Sequence, residues 1–290
     1  MTRPISVGAT VRDAYAFLGA HLGGIIGVIW LPMVLITIAQ FFTFHRFYND
    51  MINVLASGNP APMAPALLML MGYLVAKLLL TALMCVGVVQ LALGGRPSSA
   101  LIYISFGPAE GRLFRAFCGF VGLLFMSIII ILILANIAVT AAGARSAGLQ
   151  EGVSAAMMLA LLAGAVLVAA RFLALAPAIA VGESQPVLRR AWTLSAGNFW
   201  RLVAVLLALF LPLLLFFVLL EAGLGQKGAP AAGSTPELQV MAAMMHARQI
   251  LPLTCGLSFF FSPLMIGLYC GASVSAWRAV KDEPAVDIAV

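Results

Sequence analysis

The sequence contains very little charge. Only 9% of its 290 residues are charged, whereas a soluble domain has about a quarter. A large core does not explain this deficit, because the surface of a soluble protein still has to be solvated. The mean hydropathy of +1.10 points the same way. A soluble protein is therefore excluded, and apolar runs of about 18 residues or more predict helices that span a bilayer.

The residues from which catalytic and metal sites are built are scarce as well. There are three histidines and four cysteines, and the ten acidic residues lie in loops, tails and span ends. No carboxylate pair, nucleophile–base set, phosphate loop or metal-ligand spacing can be assembled. An enzyme would require loops from distant parts of the chain to converge. We expect no catalytic residues, no cofactor, no metal and no disulfide framework.

The net charge of +6 does not indicate a nucleic-acid partner. The basic residues are scattered at the ends of apolar runs, which is typical of charge that flanks membrane spans. No cleavable signal peptide is predicted either, because the first apolar run begins near Leu22 and is too long for one. That run is expected to anchor the chain.

Six apolar runs predict transmembrane helices. Their approximate bounds are residues 22–44, 64–93, 113–141, 153–177, 199–220 and 250–273. The second and third runs are longer than a hydrocarbon core of about 30 Å requires, so they should tilt, kink or protrude. We predict one all-α membrane domain over residues 1–290, with an interfacial helix at 1–21, a linker and short helix within 221–249, and a tail at 274–290.

The distribution of lysine and arginine predicts the orientation. Six spans place both termini on one side, and that side carries ten basic residues against four on the other. Basic loops are retained in the cytoplasm. The sequence therefore predicts a multi-pass protein of a bacterial inner membrane with both termini in the cytoplasm.

The stretch PVLRRAWTLSAGNFWRL, residues 186–202, predicts a short amphipathic helix at the membrane surface. Gly197 can end this helix and Asn198 can cap the next one. The predicted lipid-headgroup contacts, on the cytoplasmic side with its anionic lipids, come from two arginines and two tryptophan anchors: Arg189, Arg190, Trp192 and Trp200.

This pattern recurs. RDAYAFLGAHL at the start aligns with RRAWTLSAGNF, and PSSALIYISFGPAEGRLFRAF before the third span is a weaker version. Three pseudo-repeats of a surface helix followed by a helical hairpin are predicted. Such symmetry is common in transporters, although it also serves plain scaffolds.

The segment RFLALAPAIAVGESQPVLRRAWTLSAGNFWRL resembles the signature of a bacterial membrane-protein family. That family includes the membrane domain of some glycerophosphoryl diester phosphodiesterases and related stand-alone six-helix proteins. The matching residues are Arg171, Pro177, Glu183, Ala191-Trp192, Leu194-Ser195, Gly197-Asn198 and Trp200. The resemblance implies an integral bacterial membrane protein without a defined activity. The catalytic domain is absent, since HRF at residues 45–47 is not the His-Arg-Gly motif of the enzyme.

Lys77 is the most informative single residue, because it lies near the middle of the second apolar run. A lysine at the centre of a membrane costs about 2.5–3.5 kcal/mol, so it should face the bundle or water. Tyr73, Lys77 and Thr81 share one helix face, and Asn136 is a further interior candidate. This candidate intramembrane polar site either forms hydrogen bonds between helices or binds an anionic ligand.

Arg171 and Glu183 form a candidate structural ion pair that would set the angle between the fourth span and the surface helix. Alternatively, Arg171 reaches lipid phosphates alone while Glu183 stays solvated. Small residues predict close helix packing at two places: Gly267, Gly271 and Ser275 on the sixth span, and Ala156, Ala160 and Gly164 on the fourth.

Two classes of function remain. The first is a non-enzymatic membrane protein that organises the envelope or acts as an accessory subunit, with lipids, other membrane proteins or copies of itself as partners. The second is a transporter or channel for an anionic solute or lipid that uses Lys77. A wet cavity that reaches Lys77 favours the second class, and a dry packed core favours the first.

Overall fold

The chain folds into helices. The structure, a computed structural model, describes residues 4–95, 107–141, 147–182, 187–225 and 236–281, and these ranges contain no β-strand. Six of their helices are long and apolar enough to span a membrane. The predicted fold class, an all-α multi-pass membrane protein with six spans, is confirmed.

Eight helices are described in chain order. Their bounds are α1 Val7–Ser57, α2 Met63–Ala92, α3 Pro108–Ala141, α4 Ala147–Phe172, α5 Leu175–Ala180, α6 Val187–Ser195, α7 Phe199–Gly225 and α8 Pro236–Lys281. The most extensive contact is between α1 and α8, and α2 packs beside both. On the other side of the bundle, α3 packs on α2 and α4, and α7 packs on α1 and α4.

Helix α1 combines the predicted interfacial helix and the first span. The backbone leaves the helical region at His21 (φ −120°, ψ 16°), which divides residues 7–20 from the longer part that follows. That longer part does not end near Phe44 but continues to Ser57. At 1.5 Å per residue it is about 54 Å long, well beyond a hydrocarbon core of about 30 Å.

The fourth apolar span runs to Ala180, close to its predicted end at residue 177, but its helix is interrupted, and Pro177 is the physical reason. Helix α4 ends at Phe172 and α5 begins at Leu175. A proline has no N–H to bond the carbonyl four residues before it and its ring crowds that carbonyl, which here belongs to Leu173. The Ser273 hydroxyl of α8 donates a hydrogen bond to the Leu173 carbonyl instead. The Leu173 carbonyl at the break is therefore hydrogen-bonded by a side chain of another helix.

Two predictions about the C-terminal part of the chain are wrong. The short helix expected before the sixth span is not separate, because α8 runs without interruption from Pro236 to Lys281. The tail expected from residue 274 is helical up to Lys281, and Val274 and Trp277 are buried in it. Trp277 packs on Leu194 of α6, and this contact stabilises the last turns of α8.

The two ends of the bundle differ in packing. We call the end that contains both described chain termini the closed end. It comprises the starts of α1, α3 and α7, the ends of α2, α4 and α8, and all of α5 and α6. The opposite end is called the open end. Nearly all of the buried core lies at the closed end; in α2, residues 82–89 are buried, whereas only Ala66 is buried among residues 63–72.

Candidate functional site

The junction between α6 and α7 holds the N-terminal segment in place. Gly197 has a positive φ of 78°, which ends α6, and the Asn198 carbonyl accepts the first helical hydrogen bond of α7 from Leu202. The Asn198 side-chain oxygen accepts a hydrogen bond from the Ile5 N–H at 2.9 Å. Arg201 donates to the Ile5 carbonyl at 3.1 Å. The sequence did not predict these two hydrogen bonds to Ile5, which we call the Ile5 clamp, because the two segments lie almost 200 positions apart.

Arg171 connects three helices. Its guanidinium lies over the rings of Trp192 and Phe199, 4.9 and 4.1 Å from their centroids, and donates to the Ser195 hydroxyl at 3.0 Å. Stacking on aromatic rings stabilises a partly desolvated guanidinium. Glu183 lies outside the described residues, so the Arg171–Glu183 pair stays a prediction. The described contacts alone join α4 to α6 and α7.

The predicted lipid-contact residues lie on the outer side of α6 and at the start of α7. Arg189, Trp192 and Trp200 are exposed, and Arg190 is partly exposed. Ala191 and Leu194, on the other face of α6, are buried. The exposed residues are therefore available to headgroups, and their contact with lipid stays a prediction.

The first two pseudo-repeats have matching burial. Equivalent positions share the same environment, and the pairs are Ala14 and Ala191 (fully buried), Phe17 and Leu194 (buried), and Tyr15 and Trp192 (exposed). Each segment ends in a helix break, at His21 and Gly197 respectively. Much of the third segment, residues 96–106, lies outside the described residues, and threefold repetition stays a prediction.

Close packing is confirmed on the sixth span. A Cβ atom on Gly271 would lie 3.2 Å from the Ala14 Cα, and one on Gly267 would lie 2.7 Å from the Leu18 side chain. The Ser275 hydroxyl donates to the Asp13 carboxylate at 3.0 Å. Small side chains thus let α1 and α8 approach closely.

The prediction of close packing on the fourth span is wrong. No atom lies within 4 Å of a Cβ placed on Gly164. Ala160 and Gly164 instead line an apolar groove of about 210 Å³ between α3 and α4. Lys77 is not among the residues that line this groove.

Three residues of the candidate polar site, Tyr73, Lys77 and Thr81, lie on α2, and their environments differ. The Thr81 hydroxyl donates to the Lys77 carbonyl at 2.7 Å, so it is satisfied within its own helix. Tyr73 is buried and the Lys77 side chain is exposed, with its ammonium 5.9 Å from the Tyr73 ring centroid. The Asn136 side chain lies outside the described residues.

The packing of α1 against α2 shows which residues of α1 lie level with Lys77. The Tyr73 ring packs edge-on against Phe44 of α1, with centroids 5.6 Å apart, and Phe44 is followed directly by the polar residues His45 and Arg46. Because α1 and α2 are antiparallel, Lys77 lies only about one turn further inside than Tyr73. The first turns of α2 lie beside the polar end of α1, and the depth of Lys77 in the membrane stays a prediction.

The hydroxyl groups of Thr254 and Ser262 bond within α8, unlike those of Ser273 and Ser275, which bond other segments. Thr254 donates to the Leu251 carbonyl at 2.9 Å and Ser262 to the Ser258 carbonyl at 2.6 Å. Such bonds to the preceding turn are the usual way in which a membrane helix satisfies a hydroxyl group. Within the described residues, no three histidine, cysteine or acidic side chains come together as metal ligands.

No family model, curated protein or solved structure matches this chain.

Proposed function

We propose that this chain is a non-enzymatic subunit of a larger membrane assembly and contacts a partner protein through its open end. The observation that carries the proposal is a set of helix ends that extend past the apolar spans. They are residues 45–57 of α1, 63–72 of α2 and 236–249 of α8, which we call the projection. Arg248 donates to the Asn49 side chain at 2.6 Å, so α1 and α8 stay together there.

Helix length supports the projection. The part of α1 after His21 is about 54 Å long, whereas a whole bilayer with its headgroups is about 40–45 Å thick. Helix α8 has 46 residues, or about 69 Å. Tilting shortens the span of a helix along the membrane normal, but α1 and α8 lie side by side at both ends of the bundle, so both reach beyond the membrane at the open end.

The projection exposes apolar side chains that lipid does not cover at this height. The large exposed ones are Met63, Leu67, Leu68, Met71, Leu238, Val240 and Met245. Polar side chains such as Arg46, Asn49 and Arg248 lie between them. Apolar patches rimmed by polar residues are typical of protein interaction surfaces. The partner is therefore a protein with a complementary apolar surface.

The distribution of basic residues supports a cytoplasmic closed end in a bacterial inner membrane. The described basic residues of the closed end, outside the spans, are Arg12, Arg112, Arg115, Arg189, Arg190, Arg201, Arg278 and Lys281, whereas the open end has Arg46 and Arg248. Retention of positive charge then places the projection in the periplasm. Reporter fusions at the C-terminus and within residues 226–235 test this, and a periplasmic C-terminal reporter contradicts it.

Photo-crosslinking in native membranes tests the partner. A crosslinking side chain at Leu68 or Met245, both exposed on the projection, should give adducts with the same protein. Phe260, exposed in the apolar part of α8, is the control and should give none. Met245→Asp should reduce the native complex to the size of the isolated chain without lowering its melting temperature. Adducts that are equal at all three positions contradict the proposal.

Transport of an anionic solute or lipid is a second candidate function, favoured by the exposure of Lys77 on α2. Its first requirement is a binding site for the anion. Uptake of labelled anionic solutes or transfer of anionic lipids should then be lost in Lys77→Met. Activity that is unchanged in this variant contradicts the second candidate and leaves the first one intact.

A further inference from the structure

We propose that Lys77 and Tyr73 of α2 together bind an anionic oxygen group toward the open end. The group is the phosphodiester or carboxylate of a lipid or of a small solute. This inference deepens the second candidate function by naming the ligand chemistry. It requires binding only, so it holds whether or not the ligand crosses the membrane.

The first argument is the face of α2 on which Lys77 lies. In an α-helix, residues four and seven positions apart share a face. Tyr73 is four residues before Lys77 and Met84 is seven after it, and these two are only 8% and 2% exposed. Lys77 is nevertheless exposed. The face of α2 that packs inward is therefore interrupted by an opening at Lys77.

The second argument is a set of hydrogen-bond donors that the described residues leave unused. The Tyr73 hydroxyl is buried and has no hydrogen-bond partner among the described residues, and the same holds for the Thr37 hydroxyl of α1. Thr37 is two turns from Phe44 on the same face of α1, and Phe44 packs on Tyr73. An unsatisfied buried hydroxyl is costly, so the Tyr73 hydroxyl, one turn from Lys77, is a donor that gains from an acceptor bound beside Lys77.

The third argument is charge. Among the described residues, no carboxylate forms an ion pair with Lys77. A contact of 5.9 Å with the Tyr73 ring is at the outer limit of a cation–π interaction. One ammonium group balances one negative charge. A monoanion with at least two oxygens, which accept from both Lys77 and Tyr73, matches this arrangement.

The direction of Lys77 decides how such a ligand arrives. Side chains of a helix tilt toward its N-terminus, which for α2 is at the open end. The ammonium group therefore leans over Tyr73 toward the membrane surface of that end. An anionic headgroup or solute reaches it from there without crossing the hydrocarbon core. The helix of a partner protein does not, because the Lys77 face of α2 is packed against this chain's own helices at Tyr73 and Met84.

Binding can be measured on the full chain in two arms. In the first, protein in nanodiscs of phosphatidylcholine with a minor share of phosphatidylglycerol is analysed by native mass spectrometry for retained lipid. In the second, delipidated protein in detergent is melted with inorganic phosphate or acetate, against chloride at equal ionic strength. The variants are Lys77→Met, Lys77→Arg and Tyr73→Phe, with Lys281→Met as a control that removes a lysine from the closed end.

We expect the wild type to retain one phosphatidylglycerol molecule, or to melt higher with phosphate or acetate, and the responding arm identifies the source of the ligand. Lys77→Met should weaken binding by at least about tenfold, since a charge-assisted bond is lost. Tyr73→Phe should weaken it severalfold, whereas Lys77→Arg and Lys281→Met should retain it. If Lys77→Met fails to fold, the proposal is tested by the other two variants, because Tyr73→Phe should bind the anion more weakly than Lys77→Arg.

Three results overturn the proposal. One is equal binding by the wild type and Lys77→Met in both arms. Another is equal binding by the wild type and Tyr73→Phe, because the hydroxyl then has no role. The third is a wild type that responds in neither arm while a protein crosslinks at position 77, because the partner of Lys77 is then a protein.

Discussion

The closed and open ends of the bundle are formed by the same long helices, yet their polar groups are satisfied in different ways. At the closed end, hydrogen bonds join distant segments: Asn198 bonds Ile5, Ser273 bonds Leu173, and Ser275 bonds Asp13. In the open-end half, the bonds are mostly local, as between Ser57 and Asn53 or Ser262 and Ser258. One end is therefore held by tertiary contacts and the other mainly by its own helices.

This difference follows from backbone continuity. At the closed end the chain breaks its helices near Leu173 and Gly197, and the break at Leu173 leaves a buried carbonyl without its helical partner. A side chain from another helix must then bond it. At the open end α1 and α8 continue unbroken, so few backbone groups need outside partners. The comparison leads to four predictions, each with a matched change at the other end or on the partner residue.

The largest effect is expected from Gly271→Leu. The added side chain meets the backbone of Ala14 at 3.2 Å, and backbone cannot move aside as a side chain does. Overpacking of this kind costs about 3 kcal/mol. Gly256→Leu on the same helix has no atom within 4 Å of its new Cβ and should stabilise by about 0.5–1 kcal/mol through helix propensity. Thermal unfolding in detergent measures both, and equal shifts contradict the comparison.

The next effect is expected from Arg171→Met, which removes the hydrogen bond to Ser195 and the stacking on Trp192 and Phe199. We expect a loss of about 2 kcal/mol, and no recovery in Arg171→Lys, because an ammonium group lacks the planar face. The control at the open end is Arg46→Met, whose exposed pair with Asp50 should contribute less than about 0.5 kcal/mol. If Arg171→Lys is as stable as the wild type, stacking of the guanidinium on Trp192 and Phe199 does not contribute to stability.

A smaller effect is expected from Asn198→Ala. The Ile5 N–H loses its acceptor, so the N-terminal segment should exchange its amide hydrogens at least about tenfold faster, with a stability loss of about 1 kcal/mol. Asn59→Ala removes a bond to the Ala61 N–H in the exposed turn between α1 and α2. It should change exchange only within that turn. If the amide hydrogen of Ile5 exchanges at the wild-type rate in Asn198→Ala, the hydrogen bond from Ile5 to Asn198 does not hold the N-terminal segment.

The smallest effect is expected from Arg248→Ala. Its hydrogen bond with Asn49 is exposed, and such bonds contribute less than about 0.5 kcal/mol. Asn49→Ala should be equally mild, and the double variant should show no more loss than either single one. A loss above 1 kcal/mol in unfolding experiments would show that the open end is also held by tertiary contacts.

The sequence alone determined the class of the protein, the number of spans and the end of α6 at Gly197. Chemical composition decides whether a segment enters lipid, and a glycine changes the backbone locally, so both are visible without a structure. The close approach at Gly267 and Gly271 was predictable for the same reason, because the absence of a side chain is a property of the residue itself.

Only the tertiary structure decided what the polar residues contact. Arg171 was predicted to pair with Glu183 or lipid and is held by Ser195, Trp192 and Phe199. Lys77 lies about one turn from the level at which the polar end of α1 begins, because the register between two helices is set by side-chain packing such as that of Phe44 on Tyr73. Hydrogen bonds and helix register depend on residues far apart in sequence, and neither composition nor periodicity records which of these residues meet.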